Sequence, residues 1–160
     1  MRSQLMLTAT LVGTFALVLA GSIQAQQRPN FSGTWELDED KSKWGNPRMA
    51  PSRLTETIDH REPTLIIQRV EVSERGESTQ MLKLTTDGIE NTNIVGSNSF
   101  QSQSTWDGNK LVTKIHDGRG MQLTETRVLS DEGTSQTIEQ SIPGRAEPIA
   151  QMLMTKIESE

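Results

Sequence analysis

The sequence predicts an all-β protein that forms a single up-and-down antiparallel β-barrel of about eight to ten strands. Short runs in which apolar and polar residues alternate recur along the chain after residue 30. Tight-turn sequences such as Asp87-Gly88 and Asp107-Gly108-Asn109 separate many of these runs, and such spacing is typical of an up-and-down sheet. No helical pattern lies between the runs, so βαβ units are not expected. A sheet of this many strands is expected to close, because closure removes its edges.

The first element in the chain is an export signal over residues 1–25. Arg2 supplies a positive charge, an apolar run spans Leu5 to Ala20, and small and polar residues then lead to a cleavage site after Ala25. The apolar run is short for a transmembrane span, although a retained membrane anchor remains the alternative. Cleavage leaves residues 26–160 as one barrel domain, which we expect to be periplasmic or secreted.

Composition and charge narrow the choice of partners. The whole chain has a net charge of −5, and residues 1–25 hold one Arg and no acidic residue, so the mature chain carries −6. An acidic chain does not favour nucleic acid or an anionic membrane surface as a partner. No second long apolar segment follows the signal, so no stable membrane insertion is expected after cleavage. The absence of Cys excludes disulfides, thiolate metal sites and a cysteine nucleophile.

The first strand is predicted over residues 31–37, where Phe31, Gly33 and Trp35 alternate with polar residues. This stretch resembles the Gly-x-Trp signature that opens calycin barrels, the lipocalins and fatty-acid-binding proteins. The fuller run F-S-G-T-W-E-L-x(4)-S-K is most similar to bacterial exported lipocalin-like proteins. The resemblance implies that Phe31, Gly33 and Trp35 close one end of the barrel. It also implies that a basic residue near the chain's end, Lys156 or Arg127, stacks on Trp35.

Residues 38–53 are predicted to form a long connection between the first two strands. Asp38 is a candidate cap for one helical turn ending at Gly45, and two prolines, at positions 47 and 51, forbid a longer helix. The resemblance implies that this connection lies over the open end of the barrel, where Trp44 and Met49 are predicted to contact a ligand. A surface loop in which Trp44 only packs on the rim is the alternative. The prolines also exclude the helical lid of intracellular fatty-acid-binding proteins, which places the resemblance nearer to lipocalins.

The remaining strands follow from alternation and turn residues, and the last of them is expected to pair with the first. A two-sheet β-sandwich is the alternative arrangement. The predicted strands after the first are residues 54–60, 64–72, 78–86, 89–95, 99–106, 110–116, 121–129, 134–142 and 149–157.

A closed barrel of this size is wide enough for one small ligand. On the strand at residues 64–72, periodicity does not decide whether the row of Leu65, Ile67 and Arg69 or the alternate row faces inward. A polar-lined cavity suited to an amphipathic ligand is expected if half of a set of central polar residues point inward. That set is Thr85, Thr92, Gln101, Gln103, Thr113, Gln122, Thr124 and Thr126.

Basic residues at strand centres are candidates for binding a ligand head group. Arg69 and Arg127 are the main ones, because a guanidinium pairs bidentately with a carboxylate. Lys83, Lys114 and Lys156 also qualify, and for each basic residue an outward, solvated charge is the alternative. Fatty-acid-binding barrels often place an Arg on a late strand. Their Arg-x-Tyr pattern is not met, since Leu129 stands two residues after Arg127 and the chain has no Tyr.

Motifs for catalysis are weak. His60 and His116 are the two histidines, both lie beside predicted turns, and we expect neither to hold a metal or haem. No Gly-x-Ser-x-Gly elbow or phosphate-binding loop occurs. The sequence therefore predicts a carrier of a small amphipathic molecule with no cofactor and no metal. A protein-interaction module with a filled barrel is the alternative, and a barrel enzyme is the third possibility.

Overall fold

The computed structural model describes residues 28–158, which form ten antiparallel strands and one short 3-10 helix. The strands are β1 (Gly33–Trp44), β2 (Arg53–Arg61), β3 (Thr64–Ser73), β4 (Gly76–Thr85), β5 (Asp87–Val95), β6 (Asn98–Asp107), β7 (Lys110–Asp117), β8 (Gln122–Leu129), β9 (Ser135–Ser141) and β10 (Ala150–Ile157). The predicted export signal, residues 1–25, lies outside the described residues and stays a prediction. No helix within residues 28–158 is long and apolar enough to cross a membrane.

The ten strands form one sheet that curls into a nearly closed barrel. Their order is β4-β3-β2-β1-β10-β9-β8-β7-β6-β5, so β1 pairs with β10 as predicted. One sheet excludes the β-sandwich alternative. The edge strands β4 and β5 are not joined by backbone-to-backbone hydrogen bonds of a ladder. The side chain of Asn93 on β5 instead makes two hydrogen bonds to the backbone of β4. Its amide oxygen accepts from the Lys83 N–H at 2.7 Å, and its amide nitrogen donates to the Lys83 carbonyl at 3.1 Å.

The prediction of a long connection over residues 38–53 is wrong in its first half. Strand β1 continues to Trp44, and only residues 45–52 connect β1 to β2, with a 3-10 turn at Pro47–Met49. The predicted helical turn is instead an irregularity between Asp38 and Lys43. There the Ser42 hydroxyl donates to the Asp38 carbonyl at 2.6 Å and accepts from the Leu153 N–H of β10 at 3.0 Å. This side chain therefore maintains the attachment to β10 where the backbone register shifts.

The inward face of β3 is the row of Leu65, Ile67 and Arg69; Leu65 and Ile67 are fully buried. Of the eight central polar residues considered in the sequence, Thr113 alone is buried. The condition set for a polar-lined cavity, that half of this set points inward, is therefore not met. Polar side chains do enter the barrel, but from other positions such as Asn93, Ser102 and Ser104. Alternation alone could not identify the inward row, because both rows of these strands mix polar and apolar residues.

An aromatic layer fills one end of the barrel. The rings of Phe31, His60 and Trp106 stack on one another with centroids 6.0–6.3 Å apart. Trp35 is fully buried and donates its indole N–H to the Phe31 carbonyl at 2.9 Å. His60 lies beside the turn at residues 62–63, as predicted, but it is only 4% exposed, and its Nδ1 accepts from the Phe31 N–H at 3.2 Å. A buried imidazole fits here because both its nitrogens find partners, the second being Glu62 at 3.3 Å.

Gly33 admits a close approach between the ends of β1 and β10. Its φ is +136°, and a Cβ added there would stand 2.5 Å from Cε of Lys156. The Lys156 ammonium lies 5.3 Å from the centroid of the Trp35 ring. A side chain at position 33 would thus displace the lysine stem and strain the backbone.

We predict that Gly33→Ala destabilises the protein by about 1–3 kcal/mol, the cost of holding a non-glycine residue in this backbone region. Urea unfolding followed by tryptophan fluorescence measures it. Gly118→Ala is the matched control, because a Cβ at Gly118 meets nothing within 4 Å and its φ is not positive. We expect the control to change stability by less than about 0.5 kcal/mol. Equal effects for the two substitutions would contradict the role given to Gly33.

A candidate ligand cavity beside a buried ion cluster

The candidate site is a cavity of about 160 Å³ inside the barrel, on the side of the β4–β5 gap. The surface of its wall is mostly apolar, and each of the strands β3 to β9 contributes one polar side chain. The lining residues are Ile67, Arg69, Gln80, Leu82, Leu84, Asn93, Phe100, Ser102, Thr113, Ile115, Met121, Leu123, Glu125 and Gln140. Apolar walls with a few converging polar groups are characteristic of small-molecule sites.

A cluster of four charged side chains lies beside the cavity. Glu56 on β2 and Arg69 on β3 are directly opposed in the ladder, and Glu125 and Arg127 project from the same face of β8. Arg127 donates from Nη1 to Glu56 Oε2 at 2.6 Å and from Nε to Glu125 Oε1 at 2.8 Å. Arg69 donates from Nε to Glu56 Oε1 at 2.8 Å. The four groups form one network with two positive and two negative charges.

The network is almost completely removed from water. Glu56 is 0% exposed and Arg127 is 1% exposed, while the Arg69 side chain, which reaches the cavity, is 13% exposed. Two amides complete the shell. Gln140 Nε2 donates to Glu125 Oε2 at 2.9 Å, and Arg127 Nη1 lies 3.4 Å from Gln136 Oε1. Buried charges persist only when they are paired and hydrogen-bonded, and these four are.

Neighbouring charges keep both carboxylates ionised. Burial raises the pKa of Glu56, but the guanidiniums of Arg127 and Arg69 outweigh burial and lower this pKa to about 2. Burial also opposes ionisation of Glu125, and the same two guanidiniums lower its pKa. The carboxylates in turn raise the pKa of Arg127 despite its burial. None of the four groups titrates near neutral pH, so the cluster suits binding and positioning rather than proton transfer.

The residues predicted to contact a ligand are not all brought together. Arg69 lines the cavity. Arg127 lies behind it, held by Glu56 and Glu125. Trp44 packs against the apolar core, and Met49 is 66% exposed in the β1–β2 connection. The outward basic candidates Lys83 and Lys114 are exposed. Ligand contact by any of the four predicted residues stays a prediction.

The residues predicted to close the barrel lie at its aromatic end. Phe31 and Trp35 are fully buried there, Gly33 contacts the stem of Lys156, and Lys156 covers the Trp35 ring. Arg127, the alternative partner of Trp35, belongs to the ion cluster instead. A role in closing the barrel remains a prediction for these residues, and their positions are compatible with it.

Sequence reasoning missed Glu56, Glu125 and Gln140. The sequence does contain a signal for Glu56. On β2 every second residue from Leu54 to His60 is buried, and Glu56 is an acidic residue in that row, next to Leu54 and Ile58. An acidic residue in an apolar row predicts a buried charge with a basic partner. Within residues 28–158, no three His, Asp or Glu side chains are grouped so that they could hold a metal ion.

We predict that Glu56→Gln destabilises the barrel by about 3–5 kcal/mol, because it leaves two buried guanidiniums sharing one carboxylate. Chemical unfolding of the variant and the wild type measures the difference. Glu90→Gln is the control: Glu90 makes an exposed contact with His116 at 3.2 Å, and its loss should matter by less than about 1 kcal/mol. A Glu56→Gln protein as stable as the control would show that the cluster does not stabilise the fold.

We also predict that stability falls in acid because of this cluster. The pKa of Glu56 is depressed in the folded state from 4.5 to about 2, so its contribution is fully present above pH 4.5. It is lost as the pH falls from 4.5 towards 2, and its full size is on the order of 3 kcal/mol. Urea unfolding at a series of pH values checks this. A free energy of unfolding that stays constant over that range would contradict it.

Comparison with solved structures identifies the fold. A REP1-NXSQ fatty acid transporter has a TM-score of 0.63 at 14% identity, covering 81% of this chain and 98% of its own. A secretary abundant heat soluble protein from Ramazzottius varieornatus has a TM-score of 0.63 at 13% identity, covering 82% and 98%. Echinococcus granulosus fatty-acid-binding protein 1 has a TM-score of 0.57 at 13% identity, covering 80% and 98%.

Sequence comparison adds no family to this likeness. No protein-family model matches the chain, and no curated protein matches it either. The bacterial, exported character suggested by residues 31–43 stays a prediction. At such low identity the structural likeness bears on the fold alone, which is a nearly closed ten-stranded antiparallel β-barrel like those of these fatty-acid-binding proteins.

Proposed function

We propose that the protein is an exported carrier that binds a small amphipathic molecule inside its barrel and performs no chemistry on it. The observation that carries this proposal is the internal cavity of about 160 Å³, in which Arg69 and Glu125 stand beside an otherwise largely apolar wall. An apolar body of a ligand would contact Ile67, Leu82 and Leu123, and its polar head would lie beside the ionic groups.

The similar structures support a carrier. Two of those named above are called a fatty acid transporter and a fatty-acid-binding protein, and these names support a ligand with an apolar body. Fold alone does not decide function. The amphipathic character of the cavity is therefore the stronger argument, since it comes from the side chains of this chain.

Export is part of the proposal and rests on the sequence. Residues 1–25 have the charge, apolar run and small-residue end of a signal peptide. Cleavage after Ala25 would release the barrel into the periplasm or the medium. A carrier at that location would collect or deliver a small molecule outside the cytoplasm.

A second candidate function is an envelope or secreted interaction module with a filled barrel. Two observations favour it. The cavity, at about 160 Å³, is smaller than the roughly 300–1,000 Å³ of typical ligand pockets. In addition, Met81, Ile89 and Ile94 on the two edge strands are more than half exposed. Direct binding measurements separate the two functions.

We predict that at least one member of a panel of 1-hexanol, 2-heptanone and hexanoate binds in the cavity. Titration of ¹⁵N-labelled residues 26–160 should shift the amide signals of cavity strands, those of Ile67, Leu82 and Leu123 above all. Gln80→Trp places a large ring in the cavity wall and should weaken this binding by at least about tenfold.

Gln68→Trp is the matched control, because Gln68 is exposed on the neighbouring strand and does not line the cavity. It should bind the same compounds as the wild type does. Far-UV circular dichroism verifies that both variants fold. If no compound binds the wild type, or if Gln80→Trp binds as well as Gln68→Trp, the carrier proposal fails.

A further inference from the structure

We propose that the cavity selects uncharged amphipathic molecules over carboxylates, because Glu56 and Glu125 already occupy the two guanidiniums that could bind an anion. This inference rests on the proposed carrier function and names the chemical class of its ligand. It makes Glu56 and Glu125 specificity-determining residues.

The charges of the site balance before any ligand enters. Glu56 and Glu125 contribute two negative charges, and Arg69 and Arg127 contribute two positive charges. The carboxylate of Glu56 joins the two guanidiniums: its Oε1 accepts from Nε of Arg69 at 2.8 Å and from Nη2 of Arg127 at 3.1 Å. Glu56 thus sits where an anionic head group would have to sit to contact both arginines. No net positive charge remains to attract a carboxylate.

Both arginines direct hydrogen-bond donors at the glutamates. All three nitrogens of Arg127 donate to carboxylates, through Nε to Glu125 and through Nη1 and Nη2 to Glu56. Arg69 donates to Glu56 through Nε and Nη2. Its other pair of parallel donors, on Nη1 and Nη2, lies beside Glu125, whose Oε2 is 3.7 Å from Nη2. A ligand carboxylate bound to that pair would stand next to a second carboxylate, whereas a carbonyl or hydroxyl oxygen brings no negative charge there.

An anion in the cavity would meet an unfavourable field. Glu125 lines the cavity itself, with its Oε2 held by Gln140 at 2.9 Å. A ligand carboxylate would add an uncompensated negative charge beside it in a place with little water, and such a charge is strongly disfavoured. Glu56 and Glu125 do not relieve this by taking up protons at neutral pH, since the pKa of Glu56 is about 2 and that of Glu125 is also lowered.

A neutral ligand avoids these costs. The apolar part of the wall, which includes Leu82, Phe100 and Leu123, contacts a hydrocarbon body. The polar part, at Arg69 and Gln140, contacts one hydroxyl, carbonyl or amide group. The cavity volume of about 160 Å³ is compatible with a short body rather than a long acyl chain.

The test compares 1-hexanol with hexanoate, which share chain length and differ in charge. Amide chemical shifts of ¹⁵N-labelled residues 26–160 give both dissociation constants at pH 7. We expect 1-hexanol to bind at least about tenfold more tightly than hexanoate. Hexanoate binding as tightly as 1-hexanol, or more tightly, overturns the inference and leaves the carrier function standing. Failure of both compounds and of 2-heptanone overturns the carrier function and the inference with it.

The pH dependence separates charge from shape without any substitution. At about pH 4 an alkanoic acid is largely protonated while Glu56 remains ionised. We expect the affinity for hexanoate to rise towards that of 1-hexanol at this pH, and the affinity for 1-hexanol to stay constant. A hexanoate affinity that does not change between pH 7 and pH 4 overturns the inference.

Substitution of the cavity carboxylate provides the last comparison. Glu125→Gln removes one negative charge from the wall and should raise the ratio of hexanoate to 1-hexanol affinity by about tenfold. Glu90→Gln is the control, because Glu90 is exposed and does not line the cavity, and it should leave this affinity ratio unchanged. If Glu125→Gln folds and keeps the wild-type ratio, the inference is overturned. If it does not fold, the comparison of wild-type affinities at two pH values still decides.

Discussion

The buried pairing of Glu56 with Arg127 is the interaction on which the rest of the barrel interior depends. The two residues are 71 positions apart in the chain, and their contact ties β2 to β8 across the inside of the sheet. Neither charge could remain in this dry interior alone, since burying an unpaired ion is strongly unfavourable. Arg69 and Glu125 are therefore buried beside them as further partners. Gln136 accepts a hydrogen bond from Arg127, and Gln140 donates one to Glu125. The core of this small barrel is thus organised around a neutral polar cluster.

The barrel interior is packed differently on the two sides of the ion cluster. Towards the start of β1 the interior is filled by rings, with Phe31, His60 and Trp106 stacked and Trp35 covered by Lys156. Towards the β4–β5 gap it is open, and the cavity lies there. The ion cluster forms a boundary between the packed part and the open part. A molecule in the cavity would meet paired charges at its inner end, which is why the pairing bears on ligand chemistry.

The fold was predictable from the sequence to a large degree, because alternation and turn residues mark strands locally. The strand at residues 64–72 and the turn at Asp107-Gly108-Asn109 are examples, and the observed strand ends one residue later than predicted. The turn predicted at Asp87-Gly88 is wrong, because both residues lie within β5, which forms no ladder with β4. The extension of β1 to Trp44 was not predictable in this way. It depends on contacts with β10, such as that of Ser42 with Leu153, and the local sequence of acids and lysines resembles a loop.

The site was predictable only in part. Arg69 was recognised as a candidate because a basic residue at a strand centre is conspicuous. Its partner was not, because pairing of Glu56 with Arg69 and Arg127 depends on the register of β2 and on closure of the sheet. The sequence left open whether a set of central Thr and Gln residues points inward, and of that set Thr113 alone is buried. The buried polar side chains are mainly the ion cluster, amides such as Asn93 and hydroxyls such as Ser102, whose mutual hydrogen bonds offset the loss of water.

Native mass spectrometry of the protein recovered from the cells that produce it tests most directly whether the barrel carries an uncharged ligand. Gentle ionisation retains a molecule bound in the cavity, and organic extraction of the same sample identifies it. We expect a bound species of low mass that carries a hydroxyl, carbonyl or amide group and no ionised group at neutral pH. A bound fatty acid would contradict the role given to Glu56 and Glu125. A mass equal to that of the bare chain in every preparation would contradict the carrier function itself.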